Sequence, residues 1–126
     1  MLGVMIQSSL AAEVGRLAEV EQAGLRCALI AQEADGALNL SGEIAARSAH
    51  SGDYVFTVRK LSQSGSANVR QGGTFSTAAG ATVAAGAFAT NRQPDTTYRL
   101  DLVVTIGGEE RCRVSYDGPV STGRED

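Results

Sequence analysis

Few side chains in this sequence have the chemistry that catalysis or metal binding requires. His50 is the single histidine, it lies in a turn-like stretch of small and polar residues, and no second histidine or cysteine is near it to share a metal. A nucleophilic site would need a histidine held by an orienting partner. Glu109 and Glu110 are adjacent, so on a strand they point to opposite faces and cannot share a substrate. The sequence therefore predicts no enzyme, no metal site and no cofactor.

The two cysteines, Cys27 and Cys112, do not have the spacing of a CxxC redox site or a zinc knuckle. Two interpretations stay open: one long-range disulfide in an oxidising compartment, or two buried thiols. Both cysteines fall in the inward phase of predicted strands, and the first and last strands of a sandwich can lie together. We favour the disulfide, which would close a loop that chain-entropy models value at roughly 4 kcal/mol.

The stretch 62–73 is rich in serine and glycine. A phosphate-binding P-loop needs a Gly-Lys-Ser/Thr ending that opens a helix, and this stretch has neither. It is interpreted as a mobile loop between strands, which is where binding function is often found.

Composition excludes several further classes of protein. The 126 residues suffice for one domain, and 43% apolar residues allow a packed core. The 11 basic and 14 acidic side chains leave a net charge of −3, which gives no sign of a nucleic-acid-binding face. No apolar run reaches the roughly 18 residues needed to cross a bilayer, so membrane insertion is not expected.

From residue 25 onward the apolar residues recur with a period of two, which is typical of strands with one buried face. The stretch 38–44 is the clearest case, and Gly107-Gly108 predicts a tight hairpin. The predicted strands lie at 25–29, 38–44, 54–58, 74–77, 81–90, 98–106 and 110–116.

About seven short strands separated by glycine and polar turns predict an all-β fold, an immunoglobulin-like antiparallel β-sandwich. Tyr98 opens the penultimate predicted strand, where a tyrosine corner would place a phenol that bonds back to the preceding loop. A half-buried strand aromatic without that bond is the alternative.

Residues 1–24 differ from the rest of the chain. Residues 8–12 resemble a signal-cleavage site, but the apolar part is short and lacks a positive charge. Two interpretations stay open: a signal remnant, or a weak helix over roughly residues 9–22 with Leu10, Val14 and Leu17 on one face. Either way the segment is expected to contribute little to the core. The predicted organisation is an N-terminal segment 1–24, a sandwich 25–117 and a disordered tail 118–126.

Several short motifs occur in a characteristic order: Tyr54-x-Phe56-x-Val58, a Ser/Gly stretch, Gln71-Gly72-Gly73-x-Phe75 and an Ala79-Gly80 turn. Their combination, over about residues 25–116 and with both cysteines, resembles the alphaproteobacterial curli chaperone family CsgH. The resemblance implies a periplasmic β-sandwich that keeps curli subunits from polymerising into amyloid before export. It implies neither enzyme activity nor a nucleotide, and it transfers no site residue.

Amyloid grows on unpaired strand edges, and a soluble inhibitor can engage disordered subunits through charged side chains on a sheet face. The guanidinium group binds carboxylates and amides well. We therefore hypothesise that outward cations form the contact face for amyloidogenic curli subunits, and that the chaperone is a monomer. For each such cation, a solvated surface that opposes aggregation is the alternative. The candidate residues are Arg47, Arg59, Arg99, Arg111 and Arg113, with Lys60 at a strand end.

Two other functions stay open. A generic extracytoplasmic immunoglobulin-like interaction or structural module, such as an adhesin or assembly subunit, would show a stable folded partner and a large apolar patch. A thiol-redox enzyme would need an exposed cysteine of low pKa, contrary to the inward phase of both cysteines.

Overall fold

Eight β-strands make up most of the described chain. The computed structural model describes residues 13–63, 65–91 and 95–120, and this part of the chain contains no helix. The strands are β1 (Glu13–Gln22), β2 (Leu25–Ala34), β3 (Ala37–Ala46), β4 (His50–Ser62), β5 (Gly65–Thr77), β6 (Thr82–Asn91), β7 (Thr97–Ile106) and β8 (Glu109–Gly118).

The strands form two four-stranded antiparallel sheets. The first sheet has the order β1-β2-β3-β6, and the second sheet has the order β5-β4-β7-β8. The sheets stack face to face, so that β1 lies beside β8 at one corner and β6 lies beside β5 at the other. The architecture is the antiparallel β-sandwich that the alternation of apolar residues predicts, with β1 as an eighth strand.

The core lies between the sheets, because central strands turn alternate apolar side chains inward. Leu38, Leu40 and Ile44 of β3 are buried, as the sequence predicts. From the second sheet, Phe56 of β4 and Leu102 of β7 are fully buried. Burial of each such side chain contributes about 1.5–3 kcal/mol to folding.

Three two-residue turns have both residues in the left-handed region, the geometry that suits tight hairpins. Gly107-Gly108 joins β7 to β8 with φ values of 62° and 83°, as predicted. The β1–β2 and β2–β3 turns have the same form at Ala23-Gly24 and Asp35-Gly36. These short turns fix the register of the hairpins they close.

The segment predicted as a weak helix is an edge strand. Residues 13–22 form β1 and pair with β2, so the helix is wrong over this range. Of the predicted helix face, Leu10 lies outside the described residues, Val14 pairs with Gln32 of β2, and Leu17 is the extra residue of a β-bulge between Arg16 and Ala18. Leu17, Ala18 and Val20 pack against the core, contrary to the expectation of little contribution.

The stretch predicted as a mobile loop is largely strand as well. β5 pairs with β4 along its whole length, from Gly65 opposite Ser62 to Thr77 opposite His50. Residues 65–68 are exposed, so no burial pattern marks them in the sequence. The backbone ladder to β4 makes the strand, and the predicted strand 74–77 is its buried end.

The signal-like residues 8–12 and residues 121–126 of the predicted tail lie outside the described residues. Within the described ranges, no helix has the length and hydropathy needed to cross a membrane.

Candidate interaction face

Three arginines lie together on the outer face of the second sheet. Arg59 of β4 is directly opposite Arg99 of β7, and Arg70 of β5 is opposite Thr57, two residues before Arg59 on the same face. All three arginines are exposed. We define the arginine face by these residues and their polar neighbours: Thr57, Arg59, Asn68, Arg70, Arg99 and Asp101.

An open groove of about 390 Å³ runs between these side chains. It lies on an antiparallel sheet whose residues alternate between the two faces, so the side chains that line it stand side by side on the outer face. Small molecules usually bind in concave sites that bury most of their surface, so an open groove fits an extended chain better.

The charge of the arginine face is only partly neutralised. Arg99 Nη2 is 3.0 Å from Asp117 Oδ2, whereas Arg59 Nε donates to the neutral Asn68 at 3.3 Å. In the described part of the chain, neither Arg59 nor Arg70 forms an ion pair. Like charges directly opposite on a sheet are destabilising, so fold stability does not account for placing Arg59 against Arg99. The arrangement is instead available to an acidic or amide-rich partner.

On the outer face of the first sheet, by contrast, the arginines are neutralised by carboxylates. Glu19 bonds both Arg16, at 3.4 Å, and Arg26, at 3.1 Å, and Arg16 also lies 3.8 Å from Glu43. Each of these arginines therefore has a carboxylate partner. The unpaired positive charge of the described residues is concentrated on the second sheet.

Apolar side chains flank the arginine face. Leu61 is two residues from Arg59 on the same side of β4 and is 45% exposed. Val55 and Val103 form a half-exposed cross-strand pair farther along the same sheet. A bound chain would thus meet guanidinium groups in the middle and apolar surface at either end.

Arg113 lies on the same outer face but at the edge strand, and it is already partnered. Its Nε and Nη2 contact the two carboxylate oxygens of Glu110 at 3.2 and 3.1 Å. This hydrogen bond lowers the pKa of Glu110 and raises the pKa of Arg113. Arg111, the extra residue of a bulge in β8, lies 3.7 Å from Glu109 and is half-buried.

Two of the candidate cations lie away from the arginine face. Arg47 follows β3 at the end of the first sheet, where it is paired with Glu21 at 3.1 Å. Lys60 alternates with Arg59 and points to the other side of β4, where its Nζ donates to Thr90 of β6 at 2.9 Å. The structure therefore brings together Arg59, Arg99 and, at the edge, Arg113. It does not bring in Arg47, Lys60 or Arg111, the last of which lies at the end of β8 far from Asp117.

Sequence reasoning missed Arg70 and Asn68, because both fall in the stretch interpreted as a loop. The sequence did contain a signal: Asn68 and Arg70 alternate with Val69 and Gln71, and Val69 packs against the core. The alternation is short and lies among glycines and serines, which have low strand propensity.

The cysteines and the histidine, considered above for catalysis and metal binding, lie within the framework of the sandwich. Cys27 and Cys112 form a disulfide that joins β2 to β8, with their Cα atoms 6.5 Å apart, and both are buried. His50 opens β4 half-buried, with Nε2 3.3 Å from the Ser48 hydroxyl. The described residues hold no group of three or more potential metal ligands.

The fold and this face define a β-sandwich domain with an arginine-rich sheet surface. The chain belongs to the CsgH family, since the family model described as CsgH protein matches residues 26–115. It is thereby a curli-related protein.

Two solved structures are similar to it. The solution structure of R. palustris CsgH aligns with a TM-score of 0.64 and 25% identity, over 74% of this chain and 91% of that chain. E. coli curli protein CsgC aligns with a TM-score of 0.53 over 85% of this chain and 97% of that chain. At 14% identity this second likeness concerns the fold alone. None of the curated proteins matches the sequence.

Proposed function

We propose that this protein is a periplasmic chaperone that binds disordered curli subunits on its arginine face and delays their polymerisation into amyloid. The observation that supports this most directly is the presence, in a CsgH-family sandwich, of two outward arginines without a carboxylate partner among the described residues, Arg59 and Arg70. The proposal is a binding role without catalysis.

The chemistry of the arginine face suits such a client. A guanidinium group donates in a planar fork to carboxylates and side-chain amides, and charge-assisted hydrogen bonds are roughly twice as strong as neutral ones. Contacts made by exposed groups are individually weak and exchange quickly. A disordered chain can therefore be held and released without folding onto the sandwich.

The buried disulfide supports the proposed periplasmic location. Disulfides persist in oxidising environments such as the bacterial periplasm and are rare in reducing ones. Cys27 and Cys112 are 85 residues apart in sequence and bridged in this structure, which favours folding after export.

Charge reversal of the two unpaired arginines tests the proposal. The variant Arg59→Glu/Arg70→Glu breaks no ion pair among the described residues, so the sandwich is expected to stay folded by circular dichroism. With purified curli subunits at a substoichiometric dose of chaperone, wild type should lengthen the lag phase of thioflavin fluorescence. The variant should leave the lag phase near that of subunits alone.

Arg47→Glu/Arg111→Glu is the control for net charge, because Arg47 follows β3 and Arg111 lies at the end of β8 far from Asp117, the residue opposite Arg99. It breaks the ion pairs with Glu21 and Glu109, so its fold is checked by circular dichroism as well. It should retain the delay. Raised salt should shorten the delay given by wild type, since exposed charges are screened beyond about 10 Å at 0.1 M ionic strength. Equal inhibition by the two double variants would refute the arginine face. Absence of any delay by wild type, together with a stable folded partner, would favour a generic interaction module.

A further inference from the structure

β6 is an edge strand without the usual protection against strand addition. It pairs with β3 on one side only. The sequence from residue 78 to 91, which includes all of β6, contains no charged residue and no proline. Exposed edges of this kind present free backbone donors and acceptors to other chains, and proteins commonly block them with lysine or proline. Lys60 of β4 bonds the side chain of Thr90 but not the backbone of Ala87, so another group has to cover that part of the edge.

The side chain of Gln71 occupies the open side of β6. Its Nε2 donates to the carbonyl oxygen of Ala87 at 2.6 Å, and its Oε1 accepts from the Ala87 N–H at 2.8 Å. In an antiparallel strand the N–H and C=O of one residue point to the same side, so both groups of Ala87 point away from β3. The amide of Gln71 thus takes the place that the peptide group of an added strand would take.

The part of the edge that Gln71 covers starts just after a break in the ladder. Between Ala84 and Ala87 the pairing of β6 with β3 shifts register, with Gly86 at a φ of 92°. A bulge bends the strand and interrupts regular pairing. The regular open edge therefore begins at Ala87, and Ala89, two residues on, presents its backbone to the same side.

A second glutamine occupies the opposite corner, where the surroundings differ. Gln22 of β1 accepts from the N–H of Arg113 on the edge strand β8 at 3.2 Å. β8 carries charged side chains along its length, including Arg113 and Asp117. Charge already opposes strand addition there, so the Gln22 bond is expected to be dispensable for that purpose.

We propose that the β6 edge from Ala87 to Asn91 is a strand-pairing surface for a second copy of this chain, and that Gln71 keeps it closed. A second copy fits because residues 78–91 carry no charge of their own, and Lys60, which bonds the side chain of Thr90, reaches it from the inner side of β4. The inference does not depend on the proposed function, because it concerns contacts between copies of this chain alone.

Gln71→Met tests this, since it keeps the length of the side chain and removes both hydrogen bonds. Wild type should stay a monomer by size-exclusion chromatography with light scattering. Q71M should form a dimer whose fraction rises with concentration, with a dissociation constant at least about tenfold lower than that of wild type. In NMR hydrogen exchange, the Ala87 amide of Q71M should lose protection when dilute and regain it when concentrated.

Gln22→Met is the matched control and should stay monomeric. Adding Ala89→Lys to Q71M should restore the monomer, because Ala89 is exposed at the same edge. If Q71M does not fold, Gln71→Ser is used in the same measurements, because it removes the same two hydrogen bonds with less side-chain volume. A folded Gln71 variant that is monomeric at every concentration, with Ala87 exchanging fast throughout, would overturn the proposal. So would equal dimerisation of Q22M.

Discussion

Tyr98 is a buried tyrosine whose hydroxyl has no hydrogen-bond partner within the described ranges. The side chain is 2% exposed, and burial raises the pKa of its phenol. The sequence suggested a tyrosine corner that bonds to the preceding loop, but described residues 95–97 do not accept such a bond, and 92–94 lie outside the described part. A buried hydroxyl without a partner costs about 1–3 kcal/mol.

Tyr98→Phe removes this cost and should therefore raise the free energy of unfolding by up to about 1–3 kcal/mol, measured by urea denaturation. Tyr116→Phe is the contrast, because it removes a hydrogen bond to the carbonyl of Pro119 and should lower stability by about 0.5–1 kcal/mol. A loss above about 1 kcal/mol in Tyr98→Phe would mean that the hydroxyl is bonded after all.

The contribution of Tyr98 to the pH dependence of the free energy of unfolding has a definite sign. Because the pKa of Tyr98 is raised on folding, the unfolded chain ionises first as pH rises. The contribution to stability is constant below the ordinary tyrosine pKa of about 10 and falls above it. Tyr98→Phe should lessen this alkaline fall.

The arginines show how far single residues were predictable. Alternation alone placed Arg59 and Arg99 outward, and the structure puts them opposite each other. Their different partners could not be predicted, because Asn68 and Asp117 come from other strands and depend on register. Register is set by turns and bulges, which the apolar pattern of one strand does not contain.

Among the structural elements, β3 was predicted well because its inward residues alternate regularly over its length. β1, β6 and β8 each contain a bulge, and these are the places where a strict period of two fails. In β1 the extra residue, Leu17, was one of the three apolar residues interpreted as a helix face. The prediction of β5 failed for another reason: about half of this strand is ordered by pairing with β4 rather than by burial.

The bulge of β6 gives a prediction for the element. A Cβ on Gly86 would lie 2.5 Å from the Cβ of Phe56, which is fully buried, and the backbone is in the left-handed region. Gly86→Ala adds strain and overpacking and should lower the free energy of unfolding by about 2–5 kcal/mol.

Gly36→Ala isolates the backbone part of this cost. Gly36 also has a positive φ, of 81°, but nothing lies within 4 Å of an added Cβ. The free energy of unfolding of Gly36→Ala, measured by urea denaturation, should therefore fall by only about 1–2 kcal/mol. Equal losses at the two positions would mean that Phe56 moves aside.

At the scale of the whole molecule, the Cys27–Cys112 disulfide joins the two sheets across 85 residues of sequence. Cross-links over long loops restrict the unfolded chain, by about 4 kcal/mol in the chain-entropy model. Cys27→Ala/Cys112→Val should therefore lower the free energy of unfolding by about 2–4 kcal/mol.

Reductant supplies the control for this double variant. It should shift the unfolding of wild type towards that of the variant and leave the variant itself unchanged. Insensitivity of wild type to a reductant that fully reduces both cysteines, checked by mass spectrometry after alkylation, would show that the bridge does not stabilise the fold.

The bridge lies at one corner of the sandwich only. At the β1/β8 corner the disulfide ties the sheets through β2, whereas at the β5/β6 corner the chain itself passes from one sheet to the other through residues 78–81. The disulfide is therefore the covalent link that closes the β1/β8 corner. Once the bridge is reduced, local opening of the native protein should be widest at the β1/β8 corner, because no connecting turn joins those two strands.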